Sequence, residues 1–155
     1  MVNRTLGSAL VIAAAVVLSA CTGDNDRPVL SAQEFAKAAS AACAEFGRST
    51  ADAVDPQTDD LAANAAYLDE VIPALETLVR ELRALRPHES IAAKTDSLVR
   101  RYEEALETER DMRDAAARGD RAGFFDALQR VIPLAYETAN RATRLGWKEC
   151  GATHE

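Results

Sequence analysis

The chain has 155 residues, 48% of them hydrophobic, enough for one compact core and too little for two. Aromatic residues make up only 5% while alanine is abundant, which argues against a β-sandwich and for helices. Lys and Arg number 18 against 25 Asp and Glu, a formal charge of −7 that is opposite in sign to a nucleic-acid binder, so DNA and RNA are excluded as partners.

Arg4 supplies a positive charge near the start, and residues 6–20 run without any charge. A membrane-spanning helix needs about 20 apolar residues, so a shorter run ending in small side chains reads as an export signal rather than an anchor helix. The run closes on Leu18-Ser19-Ala20-Cys21, which resembles the lipobox of bacterial lipoproteins. The resemblance implies that a signal peptidase recognises Leu18, Ser19 and Ala20, and that Cys21 becomes the first residue, its thiol carrying diacylglycerol. Residues 1–20 are then a lipoprotein signal peptide, 21–30 the lipidated cysteine with a short tether, and 31–155 the helical domain. Two or three acyl chains, palmitate among them, hold a protein stably, which places the chain on the extracytoplasmic face of the cell membrane.

The three cysteines cannot all pair within one chain. Lipidation of Cys21 removes the odd one and leaves Cys43 and Cys150 to form a disulfide in an oxidising compartment. Loss of the signal also removes Arg4, so 17 basic residues face 25 acidic ones and the charge becomes −8. That charge repels anionic headgroups and predicts a domain that stands off the bilayer on Thr22–Leu30, a tether of at most about 30 Å.

The mature chain reads as four helices. Ser31 and Glu34 have the spacing of a capping box, and Phe35, Ala39, Ala42, Cys43 and Phe46 follow at helical intervals in a helix predicted to end near Val54. Asp59 or Asp60 caps the second, in which Leu61, Ala65, Leu68, Ile72, Leu75, Val79 and Leu82 recur four and three apart before Arg86-Pro87 closes it. The third presents Ile91, Leu98, Tyr102, Ala105 and Met112 and stops at Gly119. Asp120 caps the fourth, whose predicted inner face is Phe124, Leu128, Val131, Ala135, Ala142 and Leu145, flanked by Phe125, Ile132 and Ala139.

Long helices joined by short loops pack as antiparallel neighbours, so the predicted fold is all-α: an antiparallel up-down four-helix bundle closed by a disulfide. Cys43 lies about 16 Å along the first helix, a span that Gly146–Cys150 covers when extended, which pins Trp147 against that helix. Val71-Ile72-Pro73 and Val131-Ile132-Pro133 repeat sixty residues apart, each inside a helix. An interior proline kinks a helix, and two kinks at similar height splay a bundle around a pocket or merely curve it over its core.

Catalytic and metal constellations are sparse. The only histidines, His88 and His154, fit no Glu-x-x-His metal pair, so no metal and no cofactor is expected. The serines lack nucleophile-elbow glycines and a histidine to activate them. Acidic and basic residues between Arg100 and Asp114 alternate at i, i+4, the pattern of a solvated helix face. Glu109 breaks that pattern because it falls on the apolar stripe between Ala105 and Met112, where a carboxylate needs a partner or a raised pKa.

From about Phe35 to Gly151, four segments carry a second resemblance: Ala39–Cys43, Leu82-Arg83-Ala84-Leu85-Arg86-Pro87, Ala117-Arg118-Gly119-Asp120 and Leu145-Gly146-Trp147-Lys148-Glu149-Cys150-Gly151. With them the chain resembles small helical proteins, secreted or lipid-anchored, of high-G+C bacteria. The resemblance implies a disulfide-closed bundle and no particular activity.

The function expected is therefore that of a membrane-anchored binding or protein-interaction module, not an enzyme, engaging an envelope protein. The alternative is a carrier of a small apolar ligand in a cavity near Tyr67, Pro73, Glu109, Pro133 and Tyr136. An enzyme acting through Glu109 is the third reading.

Overall fold

The computed structural model describes residues 27–56 and 59–151; residues 1–20, expected to be an export signal, Cys21 and His154 lie outside the described residues. Four helices dominate: α1 (Ala32–Ser49), α2 (Leu61–Ala84), α3 (Glu89–Ala117) and α4 (Arg121–Arg144), followed by a 3-10 turn at Lys148–Cys150. Among the described residues no helix is long and apolar enough to cross a membrane.

Local chemistry sets where each helix starts. Ser31 Oγ accepts from the Glu34 amide while Glu34 accepts from the Ser31 amide at 2.9 Å, closing the capping box. Asp60 accepts from the amides of Ala62 and Ala63, and Asp120 from that of Gly123, so both predicted caps are in place. His88 is a cap that the sequence does not suggest: its Nδ1 accepts from the Ser90 amide at the head of α3. α1 ends at Ser49, short of the boundary near Val54. The Ser49 and Thr50 hydroxyls both donate to the Phe46 carbonyl there, beside the Thr50 amide at 3.1 Å, and side-chain bonds of this kind compete with continuation of the helix.

One element departs from a purely helical fold. Val29–Leu30 (β1) pairs in parallel with Arg86–Pro87 (β2) in the α2–α3 linker. Pro87 holds the residue before it extended, which leaves linker backbone groups in need of partners. The Leu30 carbonyl accepts from His88 N–H at 2.8 Å, the Arg27 guanidinium donates to the Ala84 carbonyl, and Arg86 donates to the Arg27 carbonyl. Residues 27–30, read from the sequence as tether, are thereby fastened to the folded body.

The core sits where the α2 periodicity places it. Leu68, Ile72, Leu75, Val79 and Leu82 are buried, joined by Leu98, Val99 and Met112 of α3 and Phe124, Ala127 and Val131 of α4. The α4 face needs correction. Ala127, Leu134 and Thr138 point inward, whereas Ala135 and Ile132 face solvent and Phe125 is at the surface. Thr138 tolerates burial because its hydroxyl donates to the Leu134 carbonyl at 2.6 Å; buried Thr95 and Thr108 satisfy themselves on their own helix in the same way.

α1 packs on α2 and on the C-terminal 3-10 turn, and touches α4 little. The reason lies in the tail. Gly146, at φ +80°, takes the left-handed turn that ends α4 and sets the chain back toward α1. Trp147 then fills the space beside Phe35, and Cys150 bonds to Cys43 with 5.1 Å between the two Cα atoms. The predicted disulfide and the predicted pinning of Trp147 are both present.

Candidate functional sites

Four regions stand out, for a covalent closure, an unsatisfied carboxylate, an exposed apolar stripe and a charged surface. The first is the clasp just described. Phe35 and Trp147 are each 1% exposed, and the Cys150 Sγ also lies 3.5 Å from the Ala39 carbonyl. Two buried rings and a disulfide make it a closure of the fold.

Glu109 defines the second region. Its side chain is half-buried, and its Oε2 is out of solvent with no hydrogen-bond partner among the described residues. Burial pushes its carboxyl up to about 7, so it exchanges a proton near neutrality. The neighbouring Tyr67 phenol is raised above its ordinary value, chiefly by burial and further by the charges of Asp55 and Glu109. Tyr67 lines an open cleft of about 550 Å³ with Leu68, Met112, Phe124 and Leu128 at its apolar side and Asp55 among its polar lining.

The five residues suggested for one pocket are not gathered there. Tyr67 and Glu109 are neighbours, but Pro73 and Pro133 are exposed on the outer sides of their helices, and Tyr136 is 66% exposed. Pro133 borders a different cleft, between α3 and α4, with Arg101, Thr108, Arg130 and Glu137. α2 and α4 continue without interruption through their prolines.

The third region is the outer face of α4. Ile132 and Tyr136 are 59% and 66% exposed, and Phe125, one face-repeat earlier, is 37% exposed. Spacings of seven and four put the three on one side of the helix, opposite the buried stripe. The sequence reading missed it by placing Phe125 and Ile132 beside the core. The available signal was the excess of apolar residues on α4 over what one buried stripe needs.

The fourth is the charged surface of α3, which differs from the i, i+4 pattern expected. Arg110 reaches Glu76 and Arg113 reaches Asp69 on α2, while Arg101 and Asp111 pair with Glu137 and Arg130 on α4. Arg83 of α2 binds Asp96 at 2.6 Å and grips Glu103 with two nitrogens, holding both carboxyls below the usual range. These partners lie on neighbouring helices, and only the packing brings them within reach. Among the described residues no group of three or more His, Cys, Asp or Glu is placed to hold a metal ion.

No protein-family model matches the chain, and no curated protein or solved structure shows significant similarity to it.

Proposed function

We propose that this chain is a lipid-anchored extracytoplasmic lipoprotein whose helical domain is a protein-interaction module of the cell envelope, without enzymatic activity or cofactor. The observation that carries the reading is the bond between Cys43 and Cys150. It leaves Cys21 as the one cysteine without a disulfide partner in the chain, directly after Leu18-Ser19-Ala20, where a diacylglycerol anchor would be attached. The helices follow an antiparallel up-down order in this reading. Its support is the run of contacts in which rising numbers on one helix meet falling numbers on the next: Asp69 with Arg113, Glu76 with Arg110, Arg83 with Asp96.

The exposed stripe of Phe125, Ile132 and Tyr136 is the surface on which an envelope protein would dock, since large apolar side chains on one solvent-facing side of a helix gain most from being covered. A photo-crosslinking residue at Tyr136 tests this in cells. The reading requires a discrete crosslinked band that Ile132→Lys abolishes; no band, or one indifferent to Ile132→Lys, contradicts it.

The carrier alternative rests on one observation, the apolar-sided cleft at Tyr67. It would hold its ligand there rather than between the prolines. Native mass spectrometry of the chain separates the two readings, since a carrier retains a reproducible small molecule that Tyr67→Ala loses.

A further inference from the structure

The net charge of this chain hides its distribution. Contacts between helices sort the residues by height, with Phe35 beside Leu82 at one end of the molecule and Phe46 beside Val71 toward the other. The half comprising residues 27–38, 79–103 and 136–151 holds 11 basic and 7 acidic residues, or +4. The half comprising residues 39–56, 59–78 and 104–135 holds 6 basic and 15 acidic, or −9. An expectation of repulsion built on the total therefore fails at the level of the surface.

The positive half is also the one the N-terminal segment joins. β1 pairs with Arg86–Pro87, immediately before α3, and Arg27 donates to the end of α2. Cys21 precedes Arg27 by six residues, so its sulfur stays within about 20 Å of that end.

On this half α3 and α4 enclose an open cleft of about 410 Å³ lined by Lys94, Ser97, Leu98, Arg141, Arg144 and Leu145. Leu98 is buried and Leu145 half-buried, so the floor is apolar, while Lys94, Arg141 and Arg144 supply three cations. None of the three side chains has a hydrogen bond or ion pair among the described residues, although the arginines elsewhere on α3 are paired repeatedly. Arg141 and Arg144 complement the dipole at the end of α4, but Lys94, in the second turn of α3, gains nothing from the dipole of its own helix. Lys94 lies only about 9 Å along α3 from His88, which binds the Leu30 carbonyl, so cleft and N-terminal attachment share one end.

We propose that this cleft seats the phosphate headgroup of an anionic membrane phospholipid, with Lys94, Arg141 and Arg144 around the phosphate and Leu98 and Leu145 against its glycerol and upper acyl carbons. The basic half then rests on the bilayer and the acidic half, with the Tyr67 cleft, faces away from it. This orientation rests on the anchor reading. Charge complementarity selects the occupant: an anion with an apolar continuation suits three cations over an apolar floor.

The test uses the exported full chain reconstituted into vesicles of phosphatidylcholine alone or mixed equally with phosphatidylglycerol. The readout is the rate of amine modification at Lys94, followed by mass spectrometry. Anionic vesicles should slow it about fivefold or more, a difference that high salt reduces and that the double variant Arg141→Glu/Arg144→Glu abolishes. Trp147 emission verifies that the variant is folded. Equal rates on both vesicles overturn the proposal, and so does equal protection by soluble glycerophosphoglycerol, which would make the site one for a free anion. The intact mass of the same sample separates the two readings. Protection in an unacylated chain keeps the cleft and removes the anchor; an acylated chain without protection removes the cleft and keeps the anchor.

Discussion

The ring centroids of Phe35 and Trp147 lie 5.5 Å apart at an interplanar angle of 37°, joining the first helix to the start of the 3-10 turn. The contact makes the C-terminal tail part of the core, since Trp147 fills space that the weakly packed α1–α4 side leaves open. Trp147→Ala empties that site and should cost about 3–5 kcal/mol. Chemical denaturation followed by circular dichroism reads the loss directly. In the parent chain Trp147 is the single tryptophan, so its emission should be blue-shifted when folded and move to the red on unfolding.

The Cys43–Cys150 bond closes a loop of 107 residues. In the chain-entropy account such a loop restricts the unfolded ensemble by about 4–5 kcal/mol, a large share of the stability of a small domain. The Cys43→Ser/Cys150→Ser variant should therefore denature at markedly lower guanidinium concentration, and reductant should lower the midpoint of the parent chain but not that of the variant.

Glu109 acts on stability in the direction opposite to a salt-bridged acid. Burial raises its folded-state pKa from the ordinary 4.5 to about 7, so the native state keeps a proton that the unfolded chain releases. Its contribution is fully present below the unfolded value and is lost as pH rises through about 7, a change of roughly 3 kcal/mol. Glu109→Gln removes that titration. Denaturation midpoints measured at pH 5 and pH 8 should converge in the variant, with the variant more stable than the parent at pH 8; a variant with the parent's pH slope refutes the assignment.

Gly123 sits where the α4 cap leaves no room for a side chain. A Cβ there would lie 2.5 Å from Asp120 Oδ2, so Gly123→Ala pushes the capping carboxylate off the amide it accepts from. The expected loss is about 1–2 kcal/mol, close to that of Asp120→Ala, and the double variant should cost little more than either single one. Additive losses would show that the alanine acts elsewhere.

Three of the four helix starts were legible because they are local: Ser31 with Glu34, Asp60 and Asp120 are caps whose partners lie within three residues. The α2 stripe was legible because leucine, isoleucine and valine mark it without ambiguity. The α4 face was not, since its buried side is made partly of Ala127 and a self-satisfied Thr138 while Ile132 and Tyr136 stand outside. Side-chain hydropathy points the wrong way at Ile132 and Thr138, and alanine marks a face only weakly. The β1–β2 pairing was hidden for another reason: it depends on backbone groups exposed by an extended linker, and Val29-Leu30 carries no pattern that names Arg86-Pro87 as its partner. Glu109 was singled out by periodicity alone, but its lack of a hydrogen-bond partner emerges only from the packing of α3 against its neighbours.

The anchor is the claim on which location, orientation and partner all depend. Intact mass of the exported chain, taken without reduction and again after reduction and thiol alkylation, tests it most directly. The account predicts a chain that begins at Cys21, carries two or three acyl groups, and takes up two alkyl groups only after reduction, at Cys43 and Cys150. A mass that retains residues 1–20, or an unacylated Cys21 that alkylates without reduction, would contradict it.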